Sequence, residues 1–209
     1  MKRSHCIMGL SLASLIAGEA SAQVASATSI ANPGLRQELL ERVNRDQAIR
    51  NEWIKVGIDK ADSAFLARMQ KIDSNNTDRM KQIVKQYGWP GPELVGEDGA
   101  EAAFLLVQHA DADHAFQKEM LPLVRDAYLA KKLAGQDYAL LLDRVLVYEG
   151  KRQVYGTQTK PSHEWKGRQP ELAPIEDEAN VDKRRAEVGL EPLAEYLVRL
   201  KQIYFPKDK

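Results

Sequence analysis

Asp143-Arg144-Val145-Leu146-Val147-Tyr148-Glu149-Gly150-Lys151-Arg152-Gln153-Val154-Tyr155-Gly156-Thr157-Gln158 reads as the end of a helix, a turn at Gly150 and a short strand. The strand carries Gln153, Tyr155, Thr157 and Gln158 within six residues. A strand with only a packing role alternates apolar and polar residues more plainly, so this one reads as built to hold hydrogen bonds. Gln153, Tyr155 and Thr157 share one face, and Val154, Gly156 and Gln158 the other. Gly156 marks a bulge, or a place where a ligand or another backbone comes close. Leu172-Ala173-Pro174-Ile175 supplies a partner strand and so closes a small hairpin.

The hairpin is flanked by helical patterns. After it, Val181 to Val188 reads as a short helix closed by Gly189, and Pro192 opens a final helix burying Leu193, Tyr196, Leu197, Leu200 and Ile203. Before it, Tyr138, Leu141, Leu142 and Val145 recur at helical spacing. The most apolar segment, Ala102 to Val107, is expected to be the central helix. Its stripe continues through His109, Asp113, Phe116 and Met120, which puts His109 and Asp113 one turn apart on the buried side. Asp111 falls off that face and reads as solvated. Pro122 marks a break or a new start, after which the helix resumes to Leu133.

Nearer the N-terminus, Asn32-Pro33 is a helix start, and Leu35, Leu39, Val43 and Trp53 form a stripe. Asp46 and Arg50 interrupt it and share a face. They are either an exposed pair or a buried pair facing a polar pocket. Ala61 to Ile72 is a second amphipathic segment, Asp73-Ser74-Asn75-Asn76-Thr77 a turn, and Met80 to Tyr87 a third helix stopped by Gly88 and Pro90. Trp89 to Gly99 is expected as a loop; it lacks the Gly-Lys-Ser/Thr ending of a phosphate-binding loop. The fold class is therefore mainly α: a bundle of six to eight helices with one small β-hairpin inserted before the last two.

With 209 residues, of which 44% are apolar and 29% charged, the chain suits one globular domain and not a disordered one. Basic and acidic residues both number 30, so no bulk field draws it to nucleic acid or anionic lipid. Lys2 and Arg3 precede an apolar run from Cys6 to Gly18, and Ala20-Ser21-Ala22 fits a cleavage site, with Ala25-Ser26-Ala27 as a second. That order is a secretory signal peptide over residues 1–22, followed by a flexible leader over 23–32 and a single helical domain over 33–209. The expected location is periplasmic or secreted, with no stable membrane anchor after processing. Cys6 is the chain's one cysteine, so the mature protein has neither a disulfide nor a thiolate.

His109 with Asp113 is the leading acid–base candidate, because a carboxylate one turn along can fix the tautomer of an imidazole and leave its other nitrogen free. The alternative is a core histidine satisfied by its neighbour. Arg144 and Arg185 make an anion-binding wall if they converge with Gln153, Tyr155 and Gln158, and are ordinary helix-end charges if they face water. Gln108, Asp46 and Arg50 complete the candidate ligand-binding set. Structural amides stitching the hairpin to the bundle are the alternative for the glutamines. His109, Asp111, Asp113 and His114 supply metal-ligand types but diverge around a helix, so no metal is expected, and no cofactor either.

The ordered polar residues have a further bearing. Asp46-Gln47 with Arg50, Asp73 with Asn76, Gly88-Trp89-Pro90 and Val95-Gly96 lie in the first half. Gln108-His109-Ala110-Asp111 with Asp113 and Gln117, then Asp143-Arg144, then Gln153-x-Tyr155-Gly156-Thr157-Gln158 follow. Pro174-Ile175 and Val181-Asp182-x-x-Arg185 with Gly189-Leu190 close the series. This pattern resembles the bacterial domain-of-unknown-function family 6624 across nearly all of the expected mature chain. The resemblance implies a mainly helical domain and no particular reaction, and it points to His109, Asp113, Arg144, Gln153, Tyr155 and Gln158. Two functions remain: a pocket that binds, and in one form hydrolyses, a small polar or anionic ligand, or a non-catalytic interaction module of unknown partner.

Overall fold

The computed structural model describes residues 30–57 and 60–205. The expected signal peptide and most of the leader lie outside the described residues. Helix α1 (Pro33–Val56) starts as its sequence dictates: Asn32 Oδ1 accepts from the Leu35 N–H at 3.0 Å and Pro33 occupies the first turn. Helix α2 (Ser63–Tyr87) is capped by Asp62 and stops at Gly88, whose φ of 73° is the left-handed geometry that favours glycine.

Helix α2 corrects one expectation. Asp73 to Thr77 is not a turn between two helices but the middle of one. Asp73, Asn76 and Thr77 stand at i, i+3 and i+4, so they share a face, and all three are buried. Thr77 Oγ1 donates to the Asp73 carbonyl at 2.8 Å, as a hydroxyl does when it bonds back within a helix. Residues with turn chemistry here line an inward polar face.

Helix α3 (Pro92–Gln108) begins inside the stretch expected as a loop, but Gly96, at φ 75° and ψ 166°, kinks it after the first turn. Beyond the kink, Ala102 to Val107 is buried on all sides. It packs against α1, α2, α4 (His114–Leu129) and α5 (Gly135–Tyr148), so it is the central helix. It ends earlier than its apolar stripe implies. His109 is its C-cap, a turn follows, and α4 runs unbroken through Pro122. The interruption expected at Pro122 falls at Ala110 to Asp113 instead. Helices α6 (Val181–Glu187) and α7 (Leu193–Tyr204) close the fold.

The hairpin does not form. Among the described residues there is no strand, only isolated bridges pairing Gln153 with Ile175 and Thr159 with Leu172. The reason is local: the N–H groups of Val154, Tyr155 and Thr157 all point at the Asp143 carboxylate, so they are lost to any strand ladder. Gly156 sits there at φ 69°, and a Cβ on it would lie 2.9 Å from Ile175 Cδ1 and 3.0 Å from Leu193 Cδ1. The neighbours that crowd Gly156 are side chains of this chain. Mainly α stands; the inserted element is an irregular loop held from beneath.

Candidate functional site

Two buried polar networks flank the residue pair Asp143-Arg144 on α5. The first holds the loop. Asp143, fully buried, accepts from Val154 N at 2.7 Å, Tyr155 N at 3.0 Å, Thr157 N at 3.0 Å and Thr157 Oγ1 at 3.0 Å. Every partner is a donor, the pattern an ionised carboxylate takes. Burial nonetheless pushes its pKa up against those donors from Thr157, Tyr155 and Val154.

Gln153 donates to the carbonyls of Gln158 at 2.9 Å and Ala173 at 2.8 Å, and accepts from the Gln158 N–H at 2.8 Å. Gln158 donates to Thr157 Oγ1 at 3.0 Å and to the Leu140 carbonyl at 3.4 Å. Arg185 donates to the carbonyls of Glu191 at 2.6 Å and Tyr155 at 2.7 Å, and lies over the Tyr196 ring. Tyr155 is half-buried, and burial pushes its phenol up to about 12. These side chains bind backbone and hold α5, the loop, α6 and α7 together.

The second network is side chain to side chain and centres on His109. His109 Nδ1 lies 2.8 Å from Asp46 Oδ2 on α1. Asp46 is fully buried; its Oδ1 accepts from Arg50 Nη1 at 2.6 Å and its Oδ2 from Gln47 Nε2 at 3.0 Å. Arg50 Nη2 continues to Asp73 Oδ1 on α2 at 3.0 Å. Asp111, in the turn after α3, is ion-paired with Arg144. Its charge bears on both His109 and Asp73, so the two pairs belong to one cluster.

Electrostatics favour a neutral imidazole. Burial lowers the His109 pKa and Arg50 lowers it further, against the pull of Asp46. Asp46 is held below the ordinary carboxylate range: burial alone would raise it, and His109, Arg50 and Gln47 outweigh that. Asp73 goes the other way, pushed up by burial to about 6 despite Arg50. A neutral imidazole with Nδ1–H directed to Asp46 keeps its lone pair on Nε2, the nitrogen able to take a proton.

A polar set from four segments, with arginines, glutamines and an oriented histidine, fits the order of residues quoted above for one family, and the profile of a family of unknown function (DUF6624) matches residues 33–209. The chain belongs to that family. No curated protein and no solved structure matches it.

Within this DUF6624 domain the expected site residues divide. His109, Asp46, Arg50 and Arg144 come together; Gln108, fully buried, ends α3 beside them, and its carbonyl accepts from Gln117 Nε2 at 2.9 Å. Arg185, Gln153, Tyr155 and Gln158 do not join them, since their contacts build the loop. Asp113 is corrected outright. It is the N-cap of α4, accepting from Phe116 N at 3.0 Å, and its other oxygen pairs with Lys81 at 2.5 Å, part-exposed. Helix α3 stops before it, so one-turn spacing along a continuous helix never applies.

Asp111 is likewise not solvated: its side chain is 7% exposed. Sequence reasoning also missed Asp73, masked by its turn-like neighbours, and Asp143, whose role depends on a loop it organises itself. The i, i+4 spacing of Asp73 and Thr77 was the available signal.

Proposed function

We propose that the protein is exported and that its folded domain binds a small polar ligand beside His109. His109 acts there as a general base or acid, and Asp46 is the carboxylate that orients it. The observation that carries this reading is the buried Nδ1–Asp46 contact of 2.8 Å, with Asp46 itself fixed by Arg50 and Gln47. The contact fixes the tautomer and aims the basic nitrogen away from Asp46, while burial and Arg50 keep the ring neutral against the carboxylate's pull. Hydrolysis is the reaction class it suits, with Nε2 taking a proton from water.

The arginines support a polar ligand more than an anionic one. Arg50 faces the carboxylates of Asp46 and Asp73, and Arg144 pairs with that of Asp111, so both guanidiniums already hold carboxylates. An anion would have to displace a carboxylate that is already in place. Export rests on the basic start, the apolar run and the Ala20-Ser21-Ala22 site; periplasm or exterior of a bacterial cell follows from it. Among the described residues no helix is long and apolar enough to cross a membrane.

The test is a thermal-shift screen of envelope metabolites and cell-wall fragments against the wild type and His109→Gln. A ligand at a hundredfold excess over its Kd stabilises by about 2.7 kcal/mol, well within reach of the method. One or more compounds should raise the Tm of the wild type and not of the variant. A broad set that shifts neither protein, or shifts both equally, overturns the binding role of His109.

A second reading, a non-catalytic interaction module, draws on the loop network, where Asp143, Gln153 and Arg185 are all engaged with backbone. It becomes the better one if His109→Gln loses as much stability as a loop substitution does.

A further inference from the structure

Three contacts link helix α2 to the imidazole. Asp73 Oδ1 accepts from Arg50 Nη2 at 3.0 Å, Arg50 Nη1 donates to Asp46 Oδ1 at 2.6 Å, and Asp46 Oδ2 meets His109 Nδ1 at 2.8 Å. We propose that Asp73 is a positioning residue for His109, acting through Arg50 by setting how much of that guanidinium's charge bears on the Asp46–His109 pair. The proposal rests on the reading of His109 as the acid–base group.

One cation between two carboxylates is divided between them. With Asp73 ionised, Arg50 is balanced on the α2 side and disfavours a second positive charge on His109 only weakly. With Asp73 protonated, that balance is lost. The whole guanidinium charge then bears on Asp46 and the ring, and the imidazolium form becomes costlier.

The surroundings leave this as the working route. From α1, Asp46 and Arg50 face Asp73 and His109, and Arg42 is turned to Asn76 at 3.3 Å. From the turn after α3, Asp111 acts on both, and Arg144 of α5 holds Asp111. From α2 itself the neighbours Asn76 and Thr77 are neutral, and Thr77 pins the Asp73 backbone at 2.8 Å. Burial, only partly offset by Arg50, brings Asp73 to about 6, so the switch operates just below neutrality. A falling pH then protonates Asp73, and the unbalanced Arg50 charge lowers the His109 pKa further. Base function extends to lower pH than an unlinked imidazole would allow.

Nitrogen NMR of the His109 ring in the ligand-free full chain, from about pH 4 to pH 8, tests this in the wild type and in Asp73→Asn. The amide keeps an oxygen for Arg50 and removes the charge. The His109 midpoint should fall in the variant. An unchanged His109 midpoint overturns the proposal, and if Nδ1 still carries the proton the acid–base reading survives it. A wild-type ring protonated on Nε2 instead sinks that reading itself. Should the variant not fold, the wild type carries the same test: the His109 shifts must inflect at the midpoint of the Asp73 carboxyl carbon, and their failure to do so overturns the proposal.

Discussion

The loop held by Asp143 and the cluster around His109 are both buried and both polar, yet they are wired differently. In the loop, side chains bind backbone: Asp143 gathers N–H groups from Val154 to Thr157, and Gln153 and Arg185 take carbonyls. Such contacts define a chain path. Around His109, side chains bind side chains, and the groups involved are ionisable: Asp46, Arg50, Asp73, Asp111 and Arg144. Backbone-directed polarity shapes a fold, whereas ionisable side chains directed at one another, with the pKa values of His109, Asp46 and Asp73 displaced, mark a place where protons can move.

If that contrast is right, the largest loss of stability follows Asp143→Ala. Three backbone N–H groups would be stranded at roughly 1–3 kcal/mol each, so urea unfolding should show a loss of at least about 3 kcal/mol. A loss under about 1 kcal/mol would place Asp143 outside the fold's supports.

Next comes a pH effect from Asp73. Its folded pKa of about 6 lies above the ordinary carboxylate value, so the native state holds the proton more tightly than the unfolded chain. Stability from this group is therefore full below about pH 4, declines by on the order of 3 kcal/mol up to about pH 6, and is flat above. That decline should be absent from Asp73→Asn, whose Tm at neutral pH should equal or exceed that of the wild type. A variant with the wild-type slope contradicts this.

Asp113→Ala should cost about 1 kcal/mol, the value of an N-cap, with no change in the His109 ring shifts. Any movement of those shifts would restore Asp113 to the site. The smallest effect should come from His109→Ala. Arg50 and Gln47 still satisfy Asp46 when the ring is gone, so the Tm should be nearly unchanged or higher, as sites that trade stability for function behave.

Helix starts, stops and inner faces were legible because caps and periodicity are local: Asn32-Pro33, Gly88, Gly189 and the Ala102 to Val107 core all fall as read. The buried pair Asp46–Arg50 was half legible, since four-residue spacing gives a shared face but not its direction. The partner of His109 was not legible at all. Asp46 lies 63 positions away along the chain, and the nearer Asp113 belongs to the next helix. The loop was misread as a hairpin because its donors answer to a carboxylate on α5, a tertiary contact that no strand pattern encodes. Asp73 was hidden by side chains equally suited to a turn or to a polar helix face.

The ring of His109 at neutral pH decides most. Nitrogen shifts should show a neutral imidazole with the proton on Nδ1 and a bare Nε2, and Asp46→Asn should disturb that preference. A ring protonated on Nε2, or charged at neutral pH, would contradict an imidazole oriented by Asp46 to act as a base.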